Sequence, residues 1–148
     1  MMIMKTVIVS GFFNPLHGGH LDMIEGAKDM GDRLIVIVNN DAQQVLKKGK
    51  VILPEENRAR VLAALRHVDE VIIALDNDPP VIKSLEAIAN KYPDDELIFA
   101  NGGDRDSEEA IPEGVICRKH NIQMIFGVGG DNKADSSTRI NQALGHAK

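Results

Sequence analysis

Five short, unbroken apolar runs, at residues 6–10, 34–39, 70–74, 97–100 and 123–128, constrain this chain more than any other feature. Each is rich in Val and Ile and has the length of a single strand. Alternating apolar and polar residues would mark a strand with one wet face. Continuous apolarity marks a strand covered on both faces, as in a parallel sheet with helices above and below, and all five runs read as doubly buried. Helical patterns fill the gaps, at residues 20–30, 54–66, 80–91, 113–120 and 136–144. Pro54 and Pro80 sit where a helix can start without losing a hydrogen bond, and Glu55 and Glu56 place negative charge at the positive end of the dipole. This alternation predicts an α/β fold: a doubly wound parallel sheet of about five strands with right-handed crossovers. Ligands of such sheets bind beyond the carboxyl ends of the strands, where the strand order reverses.

The junction between the first run and the first helical pattern carries His17-Gly18-Gly19-His20. Backbone N–H groups left open in the first turn of a helix, with the positive end of the dipole behind them, bind anions, and glycine lets the chain approach a ligand closely. Each imidazole can donate a hydrogen bond and can carry positive charge beside an anion. With His20 in the first turn and His17 just before it, both rings can face one ligand. Such a pair can hold the charge that develops on a triphosphate as pyrophosphate departs. Taken alone, the H-x-x-H pattern also describes a glycine-rich turn with two solvated histidines.

The 148 residues suit one domain, spanning 1–148, that buries about two-thirds of the surface its unfolded chain exposes. A net charge of −5 argues against a general nucleic-acid binder, whose basic face neutralises phosphates. Aromatic residues make up 3% of the chain and tryptophan is absent, which removes the stacking platforms of a single-strand binder. Positive charge is local instead, in Lys47, Lys48 and Lys50 and in Arg58, Arg60 and Arg66, enough for a small triphosphate. The single cysteine, Cys117, cannot form an intramolecular disulfide; it reads as a half-buried helix residue and fits a reducing compartment. The apolar stretches are far shorter than a membrane span or a signal peptide. The expectation is a cytoplasmic protein with neither membrane nor nucleic acid as a partner.

Three less regular stretches, 41–53, 101–111 and 129–135, each follow a predicted strand and so fall on the ligand side of the sheet. Within the first, residues 47–50 read either as a mobile loop that brings an ammonium onto phosphate or as a solvated basic turn.

Gly11-Phe12-Phe13-Asn14-Pro15-Leu16-His17-Gly18-Gly19-His20 resembles the signature loop of the cytidylyltransferase-like nucleotidylyltransferases, which carry an H-x-G-H motif after the first strand of a Rossmann-like sheet. The likeness continues along the chain. Gly31-Asp32-Arg33-Leu34-Ile35-Val36-Ile37-Val38 resembles the family's second strand, residues 47–50 its basic loop, and Glu55-Glu56-Asn57-Arg58 the opening of its next helix. Arg66-His67-Val68-Asp69-Glu70-Val71-Ile72 resembles the approach to its third strand, and there residues 66–69 are implied to make dimer contacts. Asp135-Ser136-Ser137-Thr138-Arg139-Ile140 resembles the second signature, a hydroxyl run that opens the last helix, and Asn101-Gly102-Gly103-Asp104-Arg105 looks like the Gly-Gly-Asp turn of heptose-phosphate adenylyltransferases and related cytidylyltransferases. Two signatures in the right order are more specific than either alone.

What the resemblance implies is a nucleotidylyltransferase. An oxygen of a phosphorylated acceptor attacks the α-phosphorus of CTP or ATP in line, and pyrophosphate leaves. The acceptor is already anionic at neutral pH, so no catalytic base is required. His17 and His20 would steady the bridging and leaving oxygens and Lys47 the α-phosphate. Gly11, Phe12, Phe13, Asn14, Gly19, Arg58 and Asp104 would meet the nucleotide, with Ser136, Ser137 and Thr138 on its β- and γ-phosphates, while Asp41 and Arg105 would meet the acceptor. Arg58 reads equally well as a surface ion pair. Magnesium or another divalent cation would accompany the triphosphate, and the protein would be a homodimer.

Asn14 stands where many members of the family have aspartate, and a neutral amide is a poorer magnesium ligand, which leaves the ligands of the metal unassigned. CTP and ATP both remain open. The short chain and the Gly-Gly-Asp turn favour a sugar or polyol phosphate over pantetheine phosphate or a mononucleotide as acceptor. The competing class is a nucleotide-binding regulatory module without chemistry. Asn14 speaks for it; the complete set of histidines, basic residues and hydroxyls speaks against it.

Overall fold

A computed structural model describes residues 3–78, 80–102 and 112–128. Asp104, Arg105, Ser136, Ser137, Thr138 and the helix predicted at 136–144 lie outside the described residues. Five strands, β1 (Lys5–Gly11), β2 (Arg33–Val38), β3 (Glu70–Ile73), β4 (Glu96–Gly102) and β5 (Gln123–Val128), form one sheet in the order β3-β2-β1-β4-β5. Every neighbouring pair is parallel. Helices α1 (Gly18–Lys28), α2 (Asp41–Lys48), α3 (Glu55–Ala63), α4 (Ile82–Lys91) and α5 (Gly114–Lys119) make the connections. The order runs outward from β1 to β3 and then reverses to β4. The switch point therefore lies between β1 and β4, and the loop leaving Gly11 opens onto it.

Successive residues of a strand face opposite ways, which divides the core into two layers. Val7, Val9, Leu34 and Val36 pack on one face with Ile24 and Ala27 of α1 and Leu62 of α3. Ile8, Ile35, Ile37 and Phe99 pack on the other with Leu85 and Ile88 of α4 and with Ile116 and Cys117 of α5. Burying one such aliphatic side chain is worth roughly 1.5–3 kcal/mol, so the two layers together fix the sheet from both sides.

Three expectations are corrected. Double burial holds for β1, β2 and β4, whereas no residue of β3 and only Val128 of β5 is buried, because these strands form the two edges. Cys117 is fully buried rather than half-buried, in the layer beneath α5. The stretch 41–53, read as irregular, begins with the eight-residue helix α2. Its start is set by Asn40, whose side chain accepts the N–H of Gln43 while the Gln43 side chain accepts the N–H of Asn40. Among the described residues no helix is long and apolar enough to cross a membrane.

The amino ends of the strands carry a polar network. Arg33 donates to Thr6 Oγ1 at 3.2 Å and to Asp95 at 2.6 Å, Thr6 donates to the same carboxylate at 2.8 Å, and the guanidinium lies 4.1 Å from the centre of the Tyr92 ring.

Candidate active site

Residues 12–17 carry the chain from the end of β1 into α1, and the histidines themselves close the turn. His17 is the N-cap, in extended conformation, and its Nδ1 accepts the N–H of Gly19 at 3.1 Å. His20 turns its own Nδ1 back to accept the N–H of His17 at 3.2 Å. The pair forms a reciprocal capping box built from imidazoles, where a hydroxyl or amide and a carboxylate or amide usually stand. The two rings stack with centroids 3.7 Å apart and planes 27° apart. The spacing read from the sequence thus does bring both rings together at one helix start.

Phe13 backs this pair. Its ring meets His20 edge-on, centroids 4.8 Å apart, and it is 2% exposed, with φ at +52°. Expected from the resemblance to meet the nucleotide, Phe13 has its ring in the core, where it fills the space above Gly11. A Cβ on Gly11 would lie 2.9 Å from Phe13 Cζ. Gly11 and Phe13 form the support of the histidine loop.

Asn14 is 2% exposed and turns toward the segment that follows α2. Its Oδ1 accepts the N–H of Ile52 at 3.0 Å and of Leu53 at 2.8 Å, and its Nδ2 donates to the Lys50 carbonyl at 3.4 Å. The amide thereby latches the histidine loop to residues 50–53, a role that nothing local in the sequence indicates. The basic stretch straddles a helix end rather than forming a loop. Lys47 and Lys48 belong to the last turn of α2, where only their backbone is described, and Gly49 closes the helix at φ 74°, in the left-handed region.

Arg58 is not a surface residue. At 1% exposure its guanidinium donates to the carbonyls of Leu53, Phe12 and Asn39, each at 2.7 Å, and to Asp41 Oδ1 at 2.7 Å. These bonds tie together the segments that leave β1, β2 and α2. Asp41, the first residue of α2, also donates its N–H to Glu55 at 2.9 Å. Asn40 completes the framework by donating to the carbonyls of Ala74 and Asp76 at 3.0 and 2.8 Å. Sequence reading missed Asn40 and Gln43, although the Asn-x-x-Gln spacing of a capping box was there to find.

At the end of β4, Asn101 donates to the carbonyls of Phe99 and Ile125, at 3.3 and 3.4 Å, which holds β4 to β5 beside the switch point. A divalent cation finds no built site among the described residues. No group of three His, Cys, Asp or Glu side chains converges there, and the Asn14 oxygen is already taken by two N–H groups.

Comparison with known proteins agrees with this geometry. The profile described as "Cytidylyltransferase-like" matches residues 8–148. The FAD synthase of Pyrococcus abyssi is 45% identical over 101 residues, covering 68% of this chain and 64% of that enzyme, so the match spans less than two-thirds of its length. The bifunctional protein HldE of Koribacter versatilis is 39% identical over 102 residues, covering 68% of this chain and 19% of that protein. A crystal structure of the lipopolysaccharide core biosynthesis protein from Thermoplasma volcanium superposes with a TM-score of 0.65 at 25% identity, covering 89% of this chain and 99% of that one.

Proposed function

The chain belongs to the cytidylyltransferase-like family, and from that premise we propose that it transfers the nucleoside monophosphate of ATP or CTP to a small phosphorylated acceptor, releasing pyrophosphate. The observation that carries this reading is the imidazole capping box at the carboxyl end of β1, next to the switch in strand order. It sets two imidazoles at the positive end of a helix dipole, an arrangement that suits a polyphosphate.

In this reading an acceptor phosphate oxygen forms a bond to the α-phosphorus as the bond to the bridging oxygen breaks, and the electron pair leaves with pyrophosphate. His17 and His20 donate to the oxygens that gain charge. Lys47 attends the α-phosphate, Ser136, Ser137 and Thr138 the β- and γ-phosphates, and Gly19 lets the chain approach the phosphates closely. Asp104 meets the nucleotide and Arg105 the acceptor. Asn14, Arg58 and Asp41 hold the surrounding segments in register. Magnesium would travel with the triphosphate, held chiefly by phosphate oxygens and water, and no step is assigned to it. A homodimer through residues 66–69 belongs to the same reading and is checked by the mass of the particle in solution.

CTP and ATP both stand as donors, and a sugar or polyol phosphate is the first acceptor. The likeness to an FAD synthase favours a second reading, in which flavin mononucleotide receives the adenylyl group, because FAD is that mononucleotide joined to AMP. Pyrophosphate release, measured with magnesium for ATP and CTP against sugar phosphates, polyol phosphates and flavin mononucleotide, tests both. Release confined to one pair, and lost in His20→Ala, is the expected outcome. Tight nucleotide binding with no release across the panel would instead identify a regulatory module.

A further inference from the structure

Strands β4 and β5 fall out of step at their carboxyl ends. Ala100 pairs with Ile125, whereas Gly102, two residues on, pairs with Val128, three residues on, so Phe126 and Gly127 together stand opposite Asn101. This is a β-bulge with its extra residue on β5, and bulges are rare between parallel strands. We propose that Gly127 is a positioning residue for nucleotide binding, because the bulge it permits turns Val128 onto the α1 side of the sheet beside the switch point. The inference deepens the nucleotidyl-transfer reading above and rests on it for the identity of the ligand.

Side chains of a strand alternate between faces, and a slip of one residue reverses them. Met124 and Phe126 pack on the layer that holds α4 and α5, and Ile125 packs on the layer that holds α1. Strict alternation would send Val128 with Met124 and Phe126. Val128 instead joins Ile24, Ala27 and Ala100 in the α1 layer, at 9% exposure. There it pairs with Gly102, where a Cβ would lie 3.4 Å from Sδ of Met23, one turn along α1 from His20. Gly127 makes the turn possible. Its φ is +72°, in the left-handed region that glycine enters freely and a β-branched residue does not. Asn101 spans the bulge, its Nδ2 donating to the Ile125 carbonyl at 3.4 Å.

A bulge also blunts an edge strand against pairing with another chain, and β5 is an edge. That role has no link to a ligand. The two roles therefore separate by experiment.

A Cβ at position 127 would meet nothing within 4 Å, so substitutions there act through backbone conformation rather than through lost space. Asparagine tolerates a left-handed φ and valine does not. ATP and CTP are each titrated calorimetrically, with magnesium, at a temperature where urea unfolding shows parent and variants folded. Gly127→Asn should bind within about threefold of the parent and Gly127→Val about tenfold or more weakly, since a left-handed residue with a Cβ carries that cost. Methyl NOE spectra of the parent and of Gly127→Asn should connect Val128 with methyl groups of the α1 layer and not with those of Leu85, Ile88 or Ile116. Parent-like affinity in Gly127→Val would overturn the positioning role and leave edge protection. Equal weakening by asparagine and valine would overturn it as well, because conformation would not be what position 127 supplies. Val128 methyls found among the α4 and α5 residues of the parent would remove the bulge itself. If the parent binds neither nucleotide, the nucleotidyl-transfer reading falls, while the methyl spectra still decide which face Val128 takes.

Discussion

Arg58, from the middle of α3, reaches Asp41 at the start of α2, with Nη2 2.7 Å from Oδ1, and the arginine side chain is fully buried while the aspartate remains 37% exposed. The guanidinium fork is what the position requires, since three carbonyls share its remaining hydrogens. Lysine would keep the charge but could not satisfy carbonyls in three directions. Arg58→Lys is expected to lower stability by at least about 2 kcal/mol, since each buried acceptor left unmatched costs roughly 1–3 kcal/mol. Asp41→Ala should cost less than that, although it leaves a buried guanidinium without its carboxylate, because the three carbonyls still accept from it. Urea unfolding of the two variants compares them directly, and equal losses would contradict the framework role.

For Asn14 the useful comparison is between alanine and aspartate. Alanine removes the acceptor of two backbone N–H groups and releases residues 50–53 from the histidine loop. Aspartate keeps both of these bonds and loses the long one to the Lys50 carbonyl. Thermal unfolding should therefore place Asn14→Asp between the parent and Asn14→Ala. A larger destabilisation by aspartate than by alanine would show that the latch is not what this side chain supplies.

Gly11→Ala should act through Phe13. The new methyl would meet the ring at 2.9 Å, and the ring is hemmed in by the core and by His20. Overpacking of this kind costs typically 1–3 kcal/mol. The displaced ring would also tilt His20, so turnover in the pyrophosphate assay should fall at a temperature where the variant remains folded. Unchanged turnover in a folded variant would mean that Phe13 does not position the histidine.

Acid sensitivity is expected away from the site, at Asp69. Burial pulls its carboxyl upward, but hydrogen bonds from Lys28 at 2.6 Å and from the N–H of Leu34 at 2.9 Å, with the charges of Lys28 and Arg33, outweigh that and hold it below the ordinary carboxylate value. A group whose value is lowered on folding stabilises the fold above the ordinary carboxylate range, and the contribution fades as pH falls through the lowered value. Asp69→Asn should be less stable than the parent at neutral pH and converge on it in acid. Melting temperatures recorded across that range check the sign, and a gap that widens in acid would reverse it.

The layered sheet was legible because its signal is local and repeated: runs such as Leu34 to Val38 declare two-sided burial without reference to anything distant. His17 and His20 were legible for the same reason, lying three residues apart at a strand-to-helix junction. Helix α2 was hidden by its polar composition and by lysines that resemble a turn, although Asn40, Gln43 and Gly49 mark both of its ends. Asn14 and Arg58 belong to another kind. Their partners are carbonyls and N–H groups of segments remote in sequence, and a backbone group leaves no trace in the identity of the residue that bears it. An arginine on a helix is read as exposed unless something says that three carbonyls await it. These two residues are where tertiary structure decided the outcome.

Thr6 and Gly11 stand at opposite ends of β1, roughly 16 Å apart at the rise of a strand. The cluster of Thr6, Arg33 and Asp95 therefore fastens one pole of the sheet, while the other pole is left to the histidine loop and the segments around it. Robustness and chemistry are thereby uncoupled along a single strand. Substitutions that tighten the Thr6 pole can raise the melting temperature without crowding the histidine loop. A lineage carrying this architecture is free to vary the loops at one pole while its tolerance of heat drifts independently at the other.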